Sequence, residues 1–311
     1  MDKLNIIVPC YNESDVLEKF YFEIGNVIDE LKNVECKIIF IDDGSKDNTL
    51  EIIKKLSGED EKVKYISFSR NFGKEAAIYA GLEACKKIGG LGVLLDADLQ
   101  DPPSLILKMF DEIKKNDFDM VVACRISRTG ESKLRSFLSD KFYDVMNSFS
   151  SVKIKNGTRD FRMMKDYVIK AILGLKEKNR FSKGLFSWVG FKTEYLDYEN
   201  IKRQKGTTKW SLRKLFSYAL EGLIAFSVIP LTIIFFSSVI IFLISFFVFI
   251  SFLIRAIFFH VRFSEFNFLV YAFLFINSLL FSSVGILSCY ISKIYSEIKN
   301  RAIYVVREKN I

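Results

Sequence analysis

Three carboxylates, Asp96, Asp98 and Asp101, crowd into the stretch LLDADLQDPP, directly after an apolar run, in a chain whose net charge is +8. Like charges this close repel one another, so something must balance them. A bound cation is the obvious candidate. Oxygen donors suit Mg²⁺ or Mn²⁺, and Mg²⁺ typically takes one or two carboxylates and completes its shell with substrate phosphates. Asp96 and Asp98, two residues apart after a strand, can turn into one crevice, with Gln100 beside them and Pro102-Pro103 stiffening the exit. A D-x-D alone is also what an ordinary solvated turn looks like, and the residues around it weigh against that reading.

Asp42-Asp43 close another apolar run, and a carboxylate there can accept hydrogen bonds from a nucleobase or a ribose. For Asp42, Ser45 and Asp47 an Asx-type turn before a helix is the simpler reading. Pro9, Tyr11 and Glu13 end the first apolar run, where Tyr11 could stack on a base or simply pack. Arg125 closes a further run, Arg135 follows, and RQKGTTKW sets Arg203, Lys205 and Lys209 around a glycine. Singly, each reads as a solvated surface charge. Together with a metal-binding acid pair they suit a site that handles a diphosphate and a second phosphate, because guanidinium groups match phosphate geometry.

What is missing narrows the chemistry. The sole histidine, His260, falls between two apolar stretches, so a His-based nucleophile or base is not expected. No GxxxxGK[ST] loop is present, which removes P-loop hydrolysis, and no Cys/His set has zinc spacing. The five cysteines are scattered without a CxxC and read as free thiols. The positive excess is modest and the N-terminal part nearly balanced, which is not a nucleic-acid profile.

Residues 4–9 and 37–42 are short β-type runs, separated by a helical pattern over 15–32. DDGSKDNTLEIIKKL reads as turn to helix, with Asn48 and Glu51 at capping-box spacing. KVKYISFS (strand), NFGKEAAIYAGLEACKK (helix), GLGVLLDAD (strand) and DMVVACR (strand) follow. Strands alternating with helices predict βαβ units and a mostly parallel sheet. Ligands of such sheets bind beyond the carboxyl ends of the strands. Three polar strand ends, at 9–13, 42–45 and 96–98, therefore fall on one rim.

The C-terminal part differs. No charged residue occurs from Gly222 to Ile254, nor from Phe266 to Ser292. A bilayer-spanning helix needs about 20 apolar residues. The sequence thus predicts a transmembrane hairpin with spans near 228–254 and 266–291. Residues 134–149 form an amphipathic pattern that suits either the core or a membrane interface, and 211–226 lead into the first span. The N-terminus lacks a basic region before a long apolar stretch, so no signal peptide is expected. Lys and Arg flank both spans on their outer ends, which places both termini in the cytoplasm by the positive-inside rule.

Taken in order, IIVPCYNE, FIDDGSKDNT, SRNFGKEAA, DADLQDPP, DFRMM, FSKGLFSWVG and LEGLIAFSVIPL resemble family 2 glycosyltransferases of the GT-A fold. Within that family the pattern is most similar to the polyprenyl-phosphate glycosyltransferases, which include prophage bactoprenol glucosyltransferases and dolichol-phosphate mannose synthases. The resemblance implies that Asp43 contacts a uracil and that Pro9, Tyr11 and Glu13 line the nucleotide pocket. It gives Asp96 and Asp98 to the ribose and the metal–diphosphate, with Gln100 assisting the metal. Asp160 matches the acid proposed as catalytic base. Arg125 and Arg135 would hold phosphates, and Arg203 and Lys209 would sit in a segment that closes on the site. The chain departs from the pattern at Arg159, where relatives often have glycine, and at Ala302, where they usually have proline.

The expected architecture is a cytoplasmic GT-A domain (1–210), an interface helix (211–227), a transmembrane hairpin (228–292) and a cytoplasmic tail (293–311). The expected reaction is inverting transfer of a sugar from a UDP-sugar to undecaprenyl or another polyprenyl phosphate, dependent on Mg²⁺ or Mn²⁺. Likeness favours glucose, with mannose, galactose and N-acetyl sugars as alternatives. The acceptor phosphate is already anionic at pH 7, so Asp160 has the role of orienter as well as base open to it. The bilayer is an expected partner, and a homo-oligomer is compatible with a domain held by one hairpin. Two other classes compete: a phosphohydrolase with a D-x-D nucleophile, and a non-catalytic membrane scaffold. A processive polysaccharide synthase would need a QxxRW helix, which QKGTTKW does not supply.

Overall fold

The computed structural model describes residues 2–126, 155, 157–178, 180–199 and 265–311, with Ile240 and Phe247. The expected helices at 134–149 and 211–227 lie outside the described residues, as do Arg135, Arg203 and Lys209 and, but for those two residues, the span at 228–254. The chain divides into two compact units, Met1–Gly222 with Arg301–Ile311, and Leu223–Asn300.

In the first unit, β1 (Asp2–Cys10), α1 (Leu17–Glu30), β2 (Val34–Asp42), α2 (Thr49–Glu59), β3 (Val63–Phe68), α3 (Lys74–Ile88), β4 (Leu91–Leu94), α4 (Leu105–Lys115) and β5 (Met120–Arg125) alternate, each but α4 as expected from the sequence. Then come β6 (Thr158–Met164), α5 (Asp166–Gly174), α6 (Ser182–Trp188), β7 (Thr193–Tyr198) and, from the end of the chain, β8 (Val306–Lys309). They form one sheet in the order β7-β5-β6-β4-β1-β2-β3-β8. β6 runs antiparallel to β4 and β5, and β8 antiparallel to β3, while the remaining pairs are parallel.

The sheet is buried on both faces, which is why its central strands are nearly continuous apolar runs rather than alternating ones. Leu4, Ile6 and Val8 of β1 face one way, into a core shared with Leu17, Phe20 and Ile24 of α1 and Ile106 and Met109 of α4. Ile7 faces the other way, with Ile78 and Leu82 of α3 and Val168 and Ile169 of α5. A third cluster lies between α3 and the β3 edge, around Ile39, Ile41, Phe68 and the alanines of α3, with Ile303 and Tyr304 of the tail packed on it. α3 comes unusually close to the sheet: a Cβ on Gly81 would lie 2.2 Å from Ile7 Cγ2.

The capping box expected at Asn48 and Glu51 is not formed, since Asn48 makes no side-chain cap bond. Asp47 does the local work instead, accepting from the Thr49 backbone N–H at 3.1 Å and from Ser14 N–H at 3.2 Å. That second bond ties the loop after β1 to the loop after β2, which a cap within one helix could not do. β5 and β6 are joined at the rim by a neck in which the Arg125 N–H donates to Gly157 O at 2.9 Å.

In the second unit, α7 (Glu265–Ile298) is 34 residues long. On the described residues alone, no helix is long and apolar enough to cross a membrane. Many side chains of α7 lie outside that set. In sequence the helix carries no charge from Phe266 to Ser292, and Leu269, Phe273, Leu280, Val284 and Leu287 are exposed along it.

Candidate active site

The carboxyl ends of β1, β2 and β4 lie together at one rim, as their register requires: Cys10 sits beside Asp42, and Ile7 beside Leu94. Two loops there are stitched together. Asn12 N–H donates to Ser45 Oγ at 3.0 Å, Lys46 N–H to Asn12 Oδ1 at 2.8 Å, and Glu13 N–H to Thr49 Oγ1 at 2.8 Å. Pro9, Tyr11 and Glu13 are half-buried along this seam. Asp42 holds the turn, accepting from Ser45 N–H at 3.1 Å and from Ser67 Oγ at 2.8 Å. The Asx-type turn expected there is formed.

Asp43 is buried, and its carboxylate accepts backbone N–H bonds from Phe72 at 2.7 Å and Gly73 at 3.0 Å. Burial pushes its carboxyl up from the ordinary range, and those two amides pull against the rise. Gly44, the next residue, has φ +65° and a Cβ there would lie 2.4 Å from the Arg70 carbonyl carbon, so only glycine lets the two loops approach.

The centre of the site is an ammonium that sequence reasoning left without a role. Lys74 Nζ donates to Asp96 Oδ2 and to Asp160 Oδ2, both at 2.7 Å. Asp96 follows β4 and Asp160 sits on reversed β6, so one lysine joins the two halves of the sheet. Burial works against charging Lys74, but Asp160 and Asp96 overcome it and hold the amine well above its usual range. Burial alone would push Asp160 up; Lys74, then Lys183, reverse that and hold it well below the carboxylate range. A signal for Lys74 was present in the sequence. It is the first residue of α3, where a cation opposes the helix dipole unless carboxylates wait beyond the helix end.

Behind this triad the acids of LLDADLQDPP are sorted. Asp98 Oδ1 accepts from Gln100 N–H at 3.1 Å across a turn in which Leu99 has φ +55°. Asp101 is buried, accepting from Arg159 Nε at 3.3 Å and from the Tyr198 hydroxyl. Arg159 Nη2 also donates to Gln100 Oε1 at 3.2 Å. The protein's own cations balance part of the crowding, Lys74 on Asp96 and Arg159 on Asp101, but Lys74 is shared with Asp160, and the bond that Asp98 accepts from Gln100 comes from a backbone amide, which leaves charge for a bound cation to offset. Arg162, buried over the Phe186 ring at 3.9 Å, donates to the backbone oxygens of Asp160 at 3.2 Å and Arg159 at 2.8 Å and so fixes β6. Glu75, beside Lys74, accepts from Ser182 N–H at 3.0 Å and anchors the start of α6. Arg125 stands at the same rim, at the end of β5.

Among the described residues no three acid, histidine or cysteine side chains gather as a complete metal cage. Asp96 and Asp98 offer hard carboxylate oxygens, and Gln100 an amide oxygen that already accepts one bond from Arg159. That donor set fits an ion bound jointly with phosphates rather than one held by the protein alone.

A nucleotide-type rim, a D-x-D turn and an acid on a neighbouring reversed strand agree with a glycosyl transferase family 2 model that matches residues 5–173. The chain belongs to glycosyl transferase family 2. It is 39% identical over 99% of its length, and 92% of the relative's, to a putative glycosyltransferase, CsbB, of Bacillus subtilis strain 168. It is 35% identical over 99% of its length, and 98% of the relative's, to the SfII prophage-derived bactoprenol glucosyl transferase of Shigella flexneri. Among solved structures, glucosyl-3-phosphoglycerate synthase of Mycobacterium tuberculosis, crystallised with Mn²⁺, UDP-glucose and phosphoglyceric acid, overlays with a TM-score of 0.47 at 17% identity, covering 72% of this chain and 78% of that one. Its membership of the family makes the chain a glycosyltransferase enzyme with the α/β GT-A fold, as its motifs imply.

Proposed function

We propose that the enzyme transfers glucose from UDP-glucose to the phosphate of a polyprenol, with inversion, at the cytoplasmic face of a membrane. The observation that carries the reading is Lys74 held between Asp96 and Asp160, which brings a nucleotide-side carboxylate and a second acid to one point. Full-length relatives named bactoprenol glucosyl transferase support the acceptor class.

In this reading Pro9, Tyr11, Glu13 and Asp43 hold the nucleobase, and Asp96 and Asp98 face the ribose and diphosphate. Asp96 and Asp98, with the second lone pair of Gln100, would hold Mg²⁺ or Mn²⁺, which supplies positive charge against the departing diphosphate. Lys74, Arg125 and Arg159 add fixed cations at the same rim, where preorganised charge lowers the barrier most. The acceptor phosphate oxygen attacks the anomeric carbon from the face opposite the leaving diphosphate. Asp160 does not take a proton in this step. A carboxylate held well below its ordinary range is a weak base, and the acceptor is already an anion. Asp160 instead fixes Lys74 and sets the direction from which the acceptor approaches. Arg135, Arg203 and Lys209 are assigned to phosphates by resemblance alone.

The uncharged length of α7 and its exposed apolar side chains support a bilayer-spanning role. The uncharged stretch 222–254 supports a second span, and the flanking Lys and Arg a cytoplasmic site. A lipid-anchored acceptor gives both spans a purpose.

The test is transfer of label from a panel of UDP- and GDP-sugars to undecaprenyl phosphate by the membrane-embedded protein with Mg²⁺ or Mn²⁺. Label entering the lipid phase from UDP-glucose, and lost in Asp98→Ala, is the expected result. Label from another donor corrects the sugar. No label from any donor with a folded protein overturns the reaction and returns the hydrolase and scaffold readings.

A further inference from the structure

The last residues of the chain are built into the enzyme's nucleotide half. β8 pairs with β3, and ahead of it Val305 O accepts from the Ser69 N–H at 2.9 Å, at the first residue of the loop that runs from β3 to α3. Asn310 Oδ1 accepts from the Tyr65 N–H at 2.6 Å, and Glu308 meets Lys54 at 2.9 Å. Tyr304 stacks on Phe68 with ring centroids 4.8 Å apart, and its hydroxyl donates to Glu83 of α3 at 2.5 Å. Phe68 in turn meets Phe72 edge-on at 5.8 Å. Phe72 and Gly73 are the residues whose amides hold the Asp43 carboxylate. A continuous packed path therefore runs from Tyr304 through Phe68 and Phe72 to Asp43, and the next residue along the chain is Lys74.

We propose that Tyr304, with the strand β8 that secures it, is a positioning residue for nucleotide binding: it fixes the 69–73 loop so that Asp43 and Lys74 are held ready for the donor. The inference rests on the reading of this rim as the nucleotide site. None of the tail residues touches Asp43 directly, so the effect passes through the loop. It follows that the tail should govern donor affinity more than the chemical step, because Asp160 and β6 lie on the other side of Lys74 and are not packed on it.

The experiment compares the full chain, Tyr304→Ala, Tyr304→Phe, Glu83→Gln and a chain ending at Asn300, all in lipid nanodiscs. UDP binding is measured by calorimetry, and amide exchange is followed at Phe72 and Gly73. Tyr304→Ala is expected to weaken UDP about tenfold, with a matching rise in donor KM and a kcat change of about twofold or less. Its Phe72 and Gly73 amides are expected to exchange faster. Tyr304→Phe keeps the stack but loses the bond to Glu83, and Glu83→Gln weakens that bond, so both should shift the two readouts in the same direction by less than Tyr304→Ala. The truncated chain should regain UDP affinity when a peptide of residues 301–311 is added. UDP affinity and amide exchange unchanged in folded Tyr304→Ala and Glu83→Gln overturn the proposal. A parent that binds no UDP overturns the proposed function instead, and the exchange rates, which need no nucleotide, still decide whether the tail holds the loop.

Discussion

Asp96 and Asp101 leave the same short stretch of chain and meet opposite environments. The Asp96 side chain is 27% exposed and shares a lysine that is itself 38% exposed, so substrate can reach both. The Asp101 side chain is 3% exposed and is enclosed by Arg159 and Tyr198. The first pair is open and charged. In the second the acid alone is closed and satisfied, while its partner Arg159 is 28% exposed and still faces the rim. On the proposed function one acid of the cluster is therefore chemical and the other architectural, although type and spacing make them look alike.

The sharpest way to break this contrast is Lys74→Met, which leaves Asp96 and Asp160 facing each other without their cation. Activity in the lipid-transfer assay is expected to fall about 10²–10³-fold, the range seen when one preorganised charge contact is removed from an active site. A smaller loss would show that the open pair is as structural as the closed one. Next is Asp101→Asn, which strands Arg159 and Tyr198 in the buried network. It is expected to lower stability by about 2 kcal/mol in urea unfolding, since a buried group left without its charged partner loses that order of free energy. UDP affinity should move little.

The smallest effect is assigned to Asp160→Asn. If Asp160 orients rather than abstracts, turnover should fall by less than about tenfold, against the 10²–10⁴ typical of a general base. The same variant reads the linkage. A carboxyl whose folded pKa is depressed contributes stability that is present above its ordinary value near about 4 and is lost as pH falls below it. Unfolding free energy should therefore decline less steeply between neutral and acid pH in Asp160→Asn than in the parent.

The half of the fold built from apolar runs was readable in advance, because β1 to β5 are buried on both faces and their helices repeat with a 3.6-residue period. The rim followed from topology, and with it Asp43, Asp96 and Asp98. The other half was hidden for physical reasons. TRDFRMM on β6 mixes charge and bulk because Arg159 and Asp160 face polar partners while Arg162 lies over an aromatic ring, so no strand pattern survives. β8 is a short, polar edge strand with no hydrophobic alternation to announce it. Lys74 was marked by its place at the start of α3, but its partners Asp96 and Asp160 lie far from it in sequence, and Asp43 in sequence shows nothing of the two amides it holds.

The neck between β5 and β6 makes one glycine answer for two strands. Chain leaves the sheet at Arg125 and returns at Thr158 through adjacent positions pinned by one backbone bond. Arg125 and Asp160 thus keep their places through the pairing of β5 with β6 and through that bond. A Cβ at Gly157 would lie 2.5 Å from the Arg125 carbonyl oxygen, so a larger residue at that one position would be felt on both strands of the rim at once.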